Sequence, residues 1–467
     1  MKNNNILLIN PWIYDFAAYD FWTKPTGLLS IGNYLERHGY NTSLIDCLDR
    51  FFPLLAGSKN KKYGTGRFIR TKLEKPYILK NIPRHYCRYG LPVELFLQSI
   101  TLVPEPDVIL ITSGMTYWYQ GVQFAIQLLK NKFQKVPVVL GGIYATLCYD
   151  HAKMNSGADF VIKGPGEIKA LELVNSLTNN DNNTQKYSIQ FPEPDYHYYK
   201  KLVSIPIFTS YGCPFHCSFC ASNLLSGKFR QRNPQDVINE IDQYYFNRHV
   251  NHFAFFDDAL LIHQKEHISI ILEAVIEKKL TLDFHTPNGI HPGEITSNLA
   301  NKMYQANFIT IRLSYETIDS SRQKEMGLKV TDDSLTRAVD NLEKAGFLRR
   351  DIDVYVIMGL PGQPMDEVIE SMLFVASLGV KVRLTSFSPI PGTKDWQRSV
   401  EFYNMPQDID PLLTNNSIYP LNRKDFTFEN FQQLRNFSKV INYGIDNGIN
   451  YFDSSELAKN VRRYLKM

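Results

Sequence analysis

IPIFTSYGCPFHCSFCAS (residues 205–222) joins a short apolar, β-prone run to three cysteines spaced Cys213-x3-Cys217-x2-Cys220. Thiolates are soft ligands, suited to iron–sulfur clusters or zinc. A fully protein-ligated cubane takes four cysteines, and a structural zinc takes four ligands. Only three cysteines stand together here; Cys47, Cys87 and Cys148 are scattered through an earlier region without matching spacing. The triad therefore leaves one metal position open. A Cys3His zinc site completed by His216 is the competing reading, but ligation by both His216 and its neighbour Cys217 crowds the geometry.

Outward from this stretch, apolar strands alternate with amphipathic helices. Downstream of IPIFTS (205–210), strands are expected at HFAFF (252–256), LTLDF (280–284), FITIRL (308–313), DIDVYVI (352–358) and KVRLTSF (381–387). Helices are expected between them, around 234–247, 264–278, 294–306, 332–346 and 366–378. Six βα units fall short of the eight of a closed barrel, so a partial six-stranded (β/α) TIM-like barrel, open on one side, is predicted over 205–398. In such a barrel the triad sits at the C-terminal end of the first strand, where active sites are built. A helical extension follows over 399–467, with a helix at 427–446 and another starting at Asp453, where Glu456 completes a capping-box pattern.

Upstream, ILLIN (6–10), TSLID (42–46), DVILITS (107–113), VPVVLGG (136–142) and ADFVIKG (158–164) are near-continuous apolar runs. Helices are predicted at 27–39, 120–132 and 145–156. This is the pattern of a parallel sheet covered on both faces, hence a doubly wound, Rossmann-like (flavodoxin-like) α/β domain over 1–175. Its ligands bind beyond the C-terminal strand ends. An insertion at 51–105 interrupts it, with few clear elements. Residues 176–204, polar and then proline-punctuated, read as the linker.

Composition narrows the class. Hydrophobic residues make up 44% and charged residues 21% of 467, an ordinary globular balance, and no apolar stretch is long enough for a membrane helix. Six cysteines in so long a chain do not make a secreted disulfide scaffold. A cytoplasmic protein with reduced thiols is expected. The net charge of +4 does not imply nucleic acid, yet residues 58–88 hold six Lys and four Arg against one Glu. Such a run is a solvated loop or an anion-binding surface.

Cys-x3-Cys-x2-Cys after a first barrel strand, with Phe219 before the last cysteine, resembles the radical S-adenosylmethionine (SAM) superfamily. The segments FRQRNPQDVINEI, HFAFFDDALL, RLSYETID, VYVIMGLPGQP and SPIPGT resemble successive motifs of its cobalamin-binding branch. The resemblance implies a 4Fe–4S cluster held by Cys213, Cys217 and Cys220, with SAM chelating the open iron. Reductive cleavage of SAM to a 5′-deoxyadenosyl radical would follow, with electrons from a donor such as flavodoxin or ferredoxin. It also implies roles near the cosubstrate for Glu316, for Asp257 with Asp258, and for Lys329, whose spacing from Glu316 is one residue long. Gly359, Leu360, Pro361 and Gly362 would let backbone approach adenine, and Pro391 and Gly392 are read the same way. Each of these also has a plain reading as a turn or capping residue.

The N-terminal region resembles cobalamin-binding domains through Ser113 and, 28 residues later, Gly141 and Gly142, which in that family line the slot for the nucleotide tail. The family's Asp-x-His-x-x-Gly is replaced by Asp46-Cys47-Leu48-Asp49, so no histidine stands to ligate cobalt. The insertion replaces that loop, and is expected to act as a lid. The reading is a cobalamin-dependent radical SAM enzyme that methylates or rearranges a small-molecule substrate, without membrane or nucleic acid. A cobalamin-independent RNA-modifying enzyme and a non-catalytic iron–sulfur sensor are the rivals.

Overall fold

A computed structural model describes residues 4–55, 62–180, 189–327, 330–417 and 426–448. The expected helix at Asp453, and Lys329, lie outside them. The chain divides into two compact units. The first comprises Met1–Val203 with Leu224–Ser226 and Pro406–Ser417; the second is built on Ser204–Asn223 and Gly227–Met405 with the helix Phe428–Asp446.

In the first unit, parallel strands Asn5–Asn10, Asn41–Asp46, Val108–Ile111, Val138–Leu140 and Phe160–Val161 form one sheet. Their order is second, first, third, fourth, fifth, the flavodoxin-like arrangement. Leu8, Val108, Leu110 and Val139 are buried against Leu28 and Leu35 of the helix Thr26–Arg37 and Leu171 and Val174 of the helix Glu167–Thr178. The single helix expected at 145–156 is two, Ile143–Leu147 and Tyr149–Asn155, broken at Cys148.

The insertion is more ordered than its sequence pattern suggests. Strand Tyr86–Tyr89 lies between Arg70–Leu73 and Ile13–Asp15 and pairs antiparallel with both, and the helix Val93–Leu102 follows. Several of its cations are engaged internally. Lys75 donates to Ile82 O, Arg84 to Ser417 O, and the Arg88 guanidinium lies over the rings of Trp12 and Phe124. Described residues of the expected linker also pack on this unit: Tyr199 Oη donates to Asp46 Oδ2 at 2.6 Å, and Asn33 Nδ2 to Glu193 O at 2.9 Å. Two fully buried tyrosines, Tyr196 and Tyr199, explain why this stretch does not behave as a spacer. Pro406–Ser417 of the expected helical extension likewise belongs here, where Asn415 Nδ2 donates to Asp15 and Tyr119 Oη to Asp410.

The second unit holds six parallel strands in sequential order: Ser204–Ile207, His252–Phe255, Asp283–His285, Phe308–Glu316, Ile352–Met358 and Lys381–Ser386. The first and last are not paired to each other, so the barrel is open as expected. Alternation sends Phe253, Phe255 and Phe284 to one face of the sheet and His252, Asp283 and His285 to the other. The helix Phe428–Asp446 covers the sixth strand's edge, where Asn442 both accepts from Val382 N and donates to Val382 O at 2.8 Å. No described helix is long and apolar enough to cross a membrane.

Candidate cluster and cofactor site

The cysteine loop is pinned at both ends. Past the first strand, Ser210–Tyr211 pairs antiparallel with Arg230–Gln231, closing a ribbon around the motif. Gly212 has φ +74, and a Cβ there would meet Gly227 O at 2.7 Å, so no other residue fits at this crossing. Between these ends, Cys213 is buried, Cys217 and Phe219 are half-buried and Cys220 is exposed. None of the six cysteines is in a disulfide. The Cys217 thiol faces Met326 O at 3.7 Å, and Ser222 N donates to Cys220 Sγ at 3.4 Å. His216 is exposed, and its Nδ1 accepts from Asn223 Nδ2 at 3.0 Å.

Three residues not singled out in the sequence brace this loop or its neighbours. Ser218 Oγ donates to Asp395 Oδ2 at 2.7 Å, and Asp395 N returns a bond to Ser218 O, tying the loop to the helix that follows SPIPGT. Gln363 is fully buried; its Oε1 accepts from Gly359 N and Leu360 N, and its Nε2 donates to Ile357 O and Glu367. The only sequence signal was position, because each stands just beyond a strand-end turn.

The Asp257 carboxylate accepts from Thr209 N at 3.0 Å, Thr209 Oγ1 at 2.7 Å and Ser210 Oγ at 2.6 Å, all three through Oδ1, with Oδ2 3.2 Å from Thr209 N. Burial pushes its pKa up to about 6, against the pull of the Ser210 and Thr209 hydrogen bonds. Asp258, next to it, is half-buried.

Glu316 ends the fourth strand with φ +74, after a register shift between Ser314 and Glu316. A non-glycine residue in that region is the kind of local strain that clusters at functional sites. Gly359 (φ +88) and Gly362 (φ +67) shape the turn after the fifth strand, and Pro361 O accepts from Arg322 Nη1 at 3.2 Å. Gly392 (φ +87) turns the chain after the sixth strand beside half-buried Pro391. The parallel sheet thus brings the cysteine loop, Asp257, Glu316 and Gly359–Gly362 to the same, C-terminal rim.

In the first unit, Ser113 and Gly141–Gly142 follow adjacent strands and meet. Ser113 Oγ donates to Gly141 O at 2.9 Å and accepts from Tyr144 N at 3.1 Å. Gly142 has φ +94, and a Cβ there would lie 2.6 Å from Ser113 O; one at Gly141 would project into open space. That bare surface fits the slot a cobalamin tail requires. Asp46 accepts from Asn10, Leu48 N and Tyr199. Cys47 is fully buried with its pKa pushed up by that burial, and burial pushes the Cys148 thiol up to about 12. Cys47, Cys87 and Cys148 stand on separate elements of the first unit, whereas Cys213, Cys217 and Cys220 share one loop and form the soft donor set. Three thiols on one loop at the strand end, none in a disulfide, fit a three-cysteine cluster.

Known proteins agree on both halves. Residues 207–375 match the radical SAM superfamily and residues 88–174 the B12 binding domain. The chain carries a radical SAM domain and a B12-binding domain. Among curated relatives of the chain is an uncharacterized methyltransferase of Pyrococcus horikoshii, PH0819, 24% identical over 384 residues, spanning 75% of this chain and 79% of the relative. In fold it resembles TsrM of Kitasatospora setae, a radical SAM methyltransferase solved with tryptophan substrate and a SAM analogue. The TM-score is 0.62 at 15% identity, over 85% of this chain and 76% of that one. It also resembles OxsB, a cobalamin-dependent SAM radical enzyme, with a TM-score of 0.53 at 12% identity, over 85% of this chain and 55% of that one.

Proposed function

We propose that the chain is a cobalamin-dependent radical SAM enzyme that methylates or rearranges a small-molecule substrate in the cytoplasm. The observation that carries this reading is the presence, in one chain, of a three-thiol loop at a barrel rim and a B12-binding domain with a bare-glycine turn at its own strand ends. The cofactors would supply one-electron cleavage of SAM and carriage of a methyl group; the protein binds, orients and shields them. Cys213, Cys217 and Cys220 would hold the cluster, with Phe219 as the aromatic neighbour of the last cysteine. Glu316 offers a carboxylate to the cosubstrate, and Gly359, Pro361 and Gly362 give adenine a close backbone surface. Lys329, outside the described residues, is assigned to the methionine carboxylate by the resemblance alone, and Ser113, Gly141 and Gly142 line the cobalamin slot. Asp257 acts as a positioning residue, fixing Thr209 and Ser210 just ahead of the cysteines. Electrons come from a small donor such as flavodoxin or ferredoxin.

The internal engagement of Lys75, Arg84 and Arg88 leaves fewer cations for an RNA backbone, which disfavours the RNA-modifying rival. Anaerobic purification with cobalamin supplied, followed by visible spectra and mass analysis of SAM products, tests the reading. Bound cobalamin with 5′-deoxyadenosine is expected in either case, and S-adenosylhomocysteine in addition marks methyl transfer. A protein that binds no cobalamin while cleaving SAM would overturn the cobalamin half of the proposal.

A further inference from the structure

The sheet face opposite the aromatic core carries a second donor set, on the strands' N-terminal side and away from the cysteine loop. His252 opens the second barrel strand and Asp283 opens the third, where the parallel register sets them side by side. His285 lies two residues on, on the same face. His252 Nδ1 stands 3.0 Å from Asp283 Oδ2 and 3.3 Å from His285 Nε2, and the three donor atoms all lie within 4.8 Å of one another. A tetrahedral ion with bonds of about 2.0–2.1 Å places neighbouring ligand atoms about 3.3 Å apart, which the two spacings at His252 match.

The atoms behind the donors are also held. Thr310 Oγ1 lies 3.0 Å from His285 Nδ1. A register shift between Phe284 and His285 brings Thr310 opposite that histidine. With its proton on Nδ1, toward Thr310, the ring presents its Nε2 lone pair to His252 and Asp283. Asn307 Nδ2 donates to Asp283 Oδ1 at 2.6 Å, leaving Oδ2 as the inward oxygen. Outer partners that fix the tautomer of a histidine and the orientation of a carboxylate are the usual surroundings of metal ligands. His285 is fully buried, so its ring is held in place by its surroundings. Arg312, on the same face, directs its guanidinium to Pro287 O, Tyr355 Oη and Asp353. His252 and Asp283 are half-buried, which gives an ion a route in and a water a place as fourth ligand.

We propose that His252, Asp283 and His285 form a mononuclear site for a divalent transition metal of the zinc class, separate from the cysteine triad. Two imidazoles and a carboxylate suit zinc, and the set joins neighbouring strands as a staple across the barrel's N-terminal end.

The test uses the full chain, anaerobically reconstituted with its cluster so that the cysteines are occupied, then equilibrated with Zn2+ and desalted. Zinc and iron are counted by mass spectrometry, and the zinc shell is read by X-ray absorption at the zinc edge. About one zinc per chain is expected beyond the iron, with only nitrogen and oxygen neighbours at about 2.0–2.1 Å. His252→Ala and Asp283→Asn, both at half-exposed positions, should each lower zinc affinity at least tenfold while iron content stays at the wild-type level. His285→Ala is avoided because that side chain is fully buried. Sulfur neighbours at about 2.3 Å, no retained zinc in the wild type, or equal zinc in wild type and both variants would overturn the site.

Discussion

Gly141 and Gly142 are neighbours with opposite demands, and they separate folding from cofactor binding. A Cβ at Gly142 meets Ser113 backbone from a left-handed conformation, so Gly142→Ala should destabilise the first unit by about 1–3 kcal/mol, seen as a lowered denaturation midpoint. Gly141 faces open space, so Gly141→Leu should keep the wild-type midpoint yet weaken cobalamin binding at least tenfold by filling the slot. Equal cobalamin affinity in Gly141→Leu would remove this turn from the cobalamin site. Asp257 makes a pH prediction. Its pKa is raised on folding from the ordinary 3.8 to about 6, so the native state holds a proton the unfolded state has lost between those values. The contribution of Asp257 to stability is therefore present below pH 3.8, falls as pH rises toward 6, and is flat above, by about 3 kcal/mol in all. In the cluster-free chain, wild type should lose stability relative to Asp257→Asn across that window; a constant difference between the two would contradict the raised pKa. The cysteines stood out in the sequence because their spacing is chemistry in itself. Asp257 was legible as a strand-end carboxylate, but not its partners, since Thr209 and Ser210 lie 48 and 47 positions away along the chain.

At the scale of elements, periodicity carried the barrel: the strand at Ile352–Met358 and the helix at Asp332–Ala345 stand where the apolar spacing put them. The fourth strand runs on to Glu316, beyond FITIRL, because LSYE continues the pairing with the fifth strand through a bulge that apolar periodicity does not announce. The insertion hid its strands for a different reason. Arg70–Leu73 is an edge strand with mostly exposed side chains, so it has no buried face to set an alternating pattern. The linker was misread because composition there is polar, while two tyrosines do the docking. The open barrel edge has its own device, Asn442, whose amide substitutes for a neighbouring strand at Val382. Asn442→Leu leaves both backbone groups without these partners and should cost about 1–3 kcal/mol in chemical denaturation. Iron content should be unchanged, because the cysteine loop is braced by Asp395 instead. An unaltered unfolding midpoint would show that the helix covers the edge by apolar packing alone.

For the whole molecule, the two-unit organisation and the class of each sheet were legible from the alternation of apolar runs. The crossing of Pro406–Ser417 back to the first unit was not, because it depends on polar contacts to Asp15 and Tyr119 far earlier in the chain. The His252–Asp283–His285 set was also invisible, since its members come from two strands and only the parallel register aligns them. The account as a whole rests on the cysteine loop holding a redox-active cluster that cleaves SAM. The direct measurement is 5′-deoxyadenosine formed by the anaerobically reconstituted, chemically reduced full chain, set beside its iron content and beside Cys217→Ala. The wild type should hold about four iron at this loop and form 5′-deoxyadenosine, while Cys217→Ala loses both. Wild-type protein that carries the cluster yet leaves SAM intact, or Cys217→Ala protein that cleaves it at the full rate, would contradict the account.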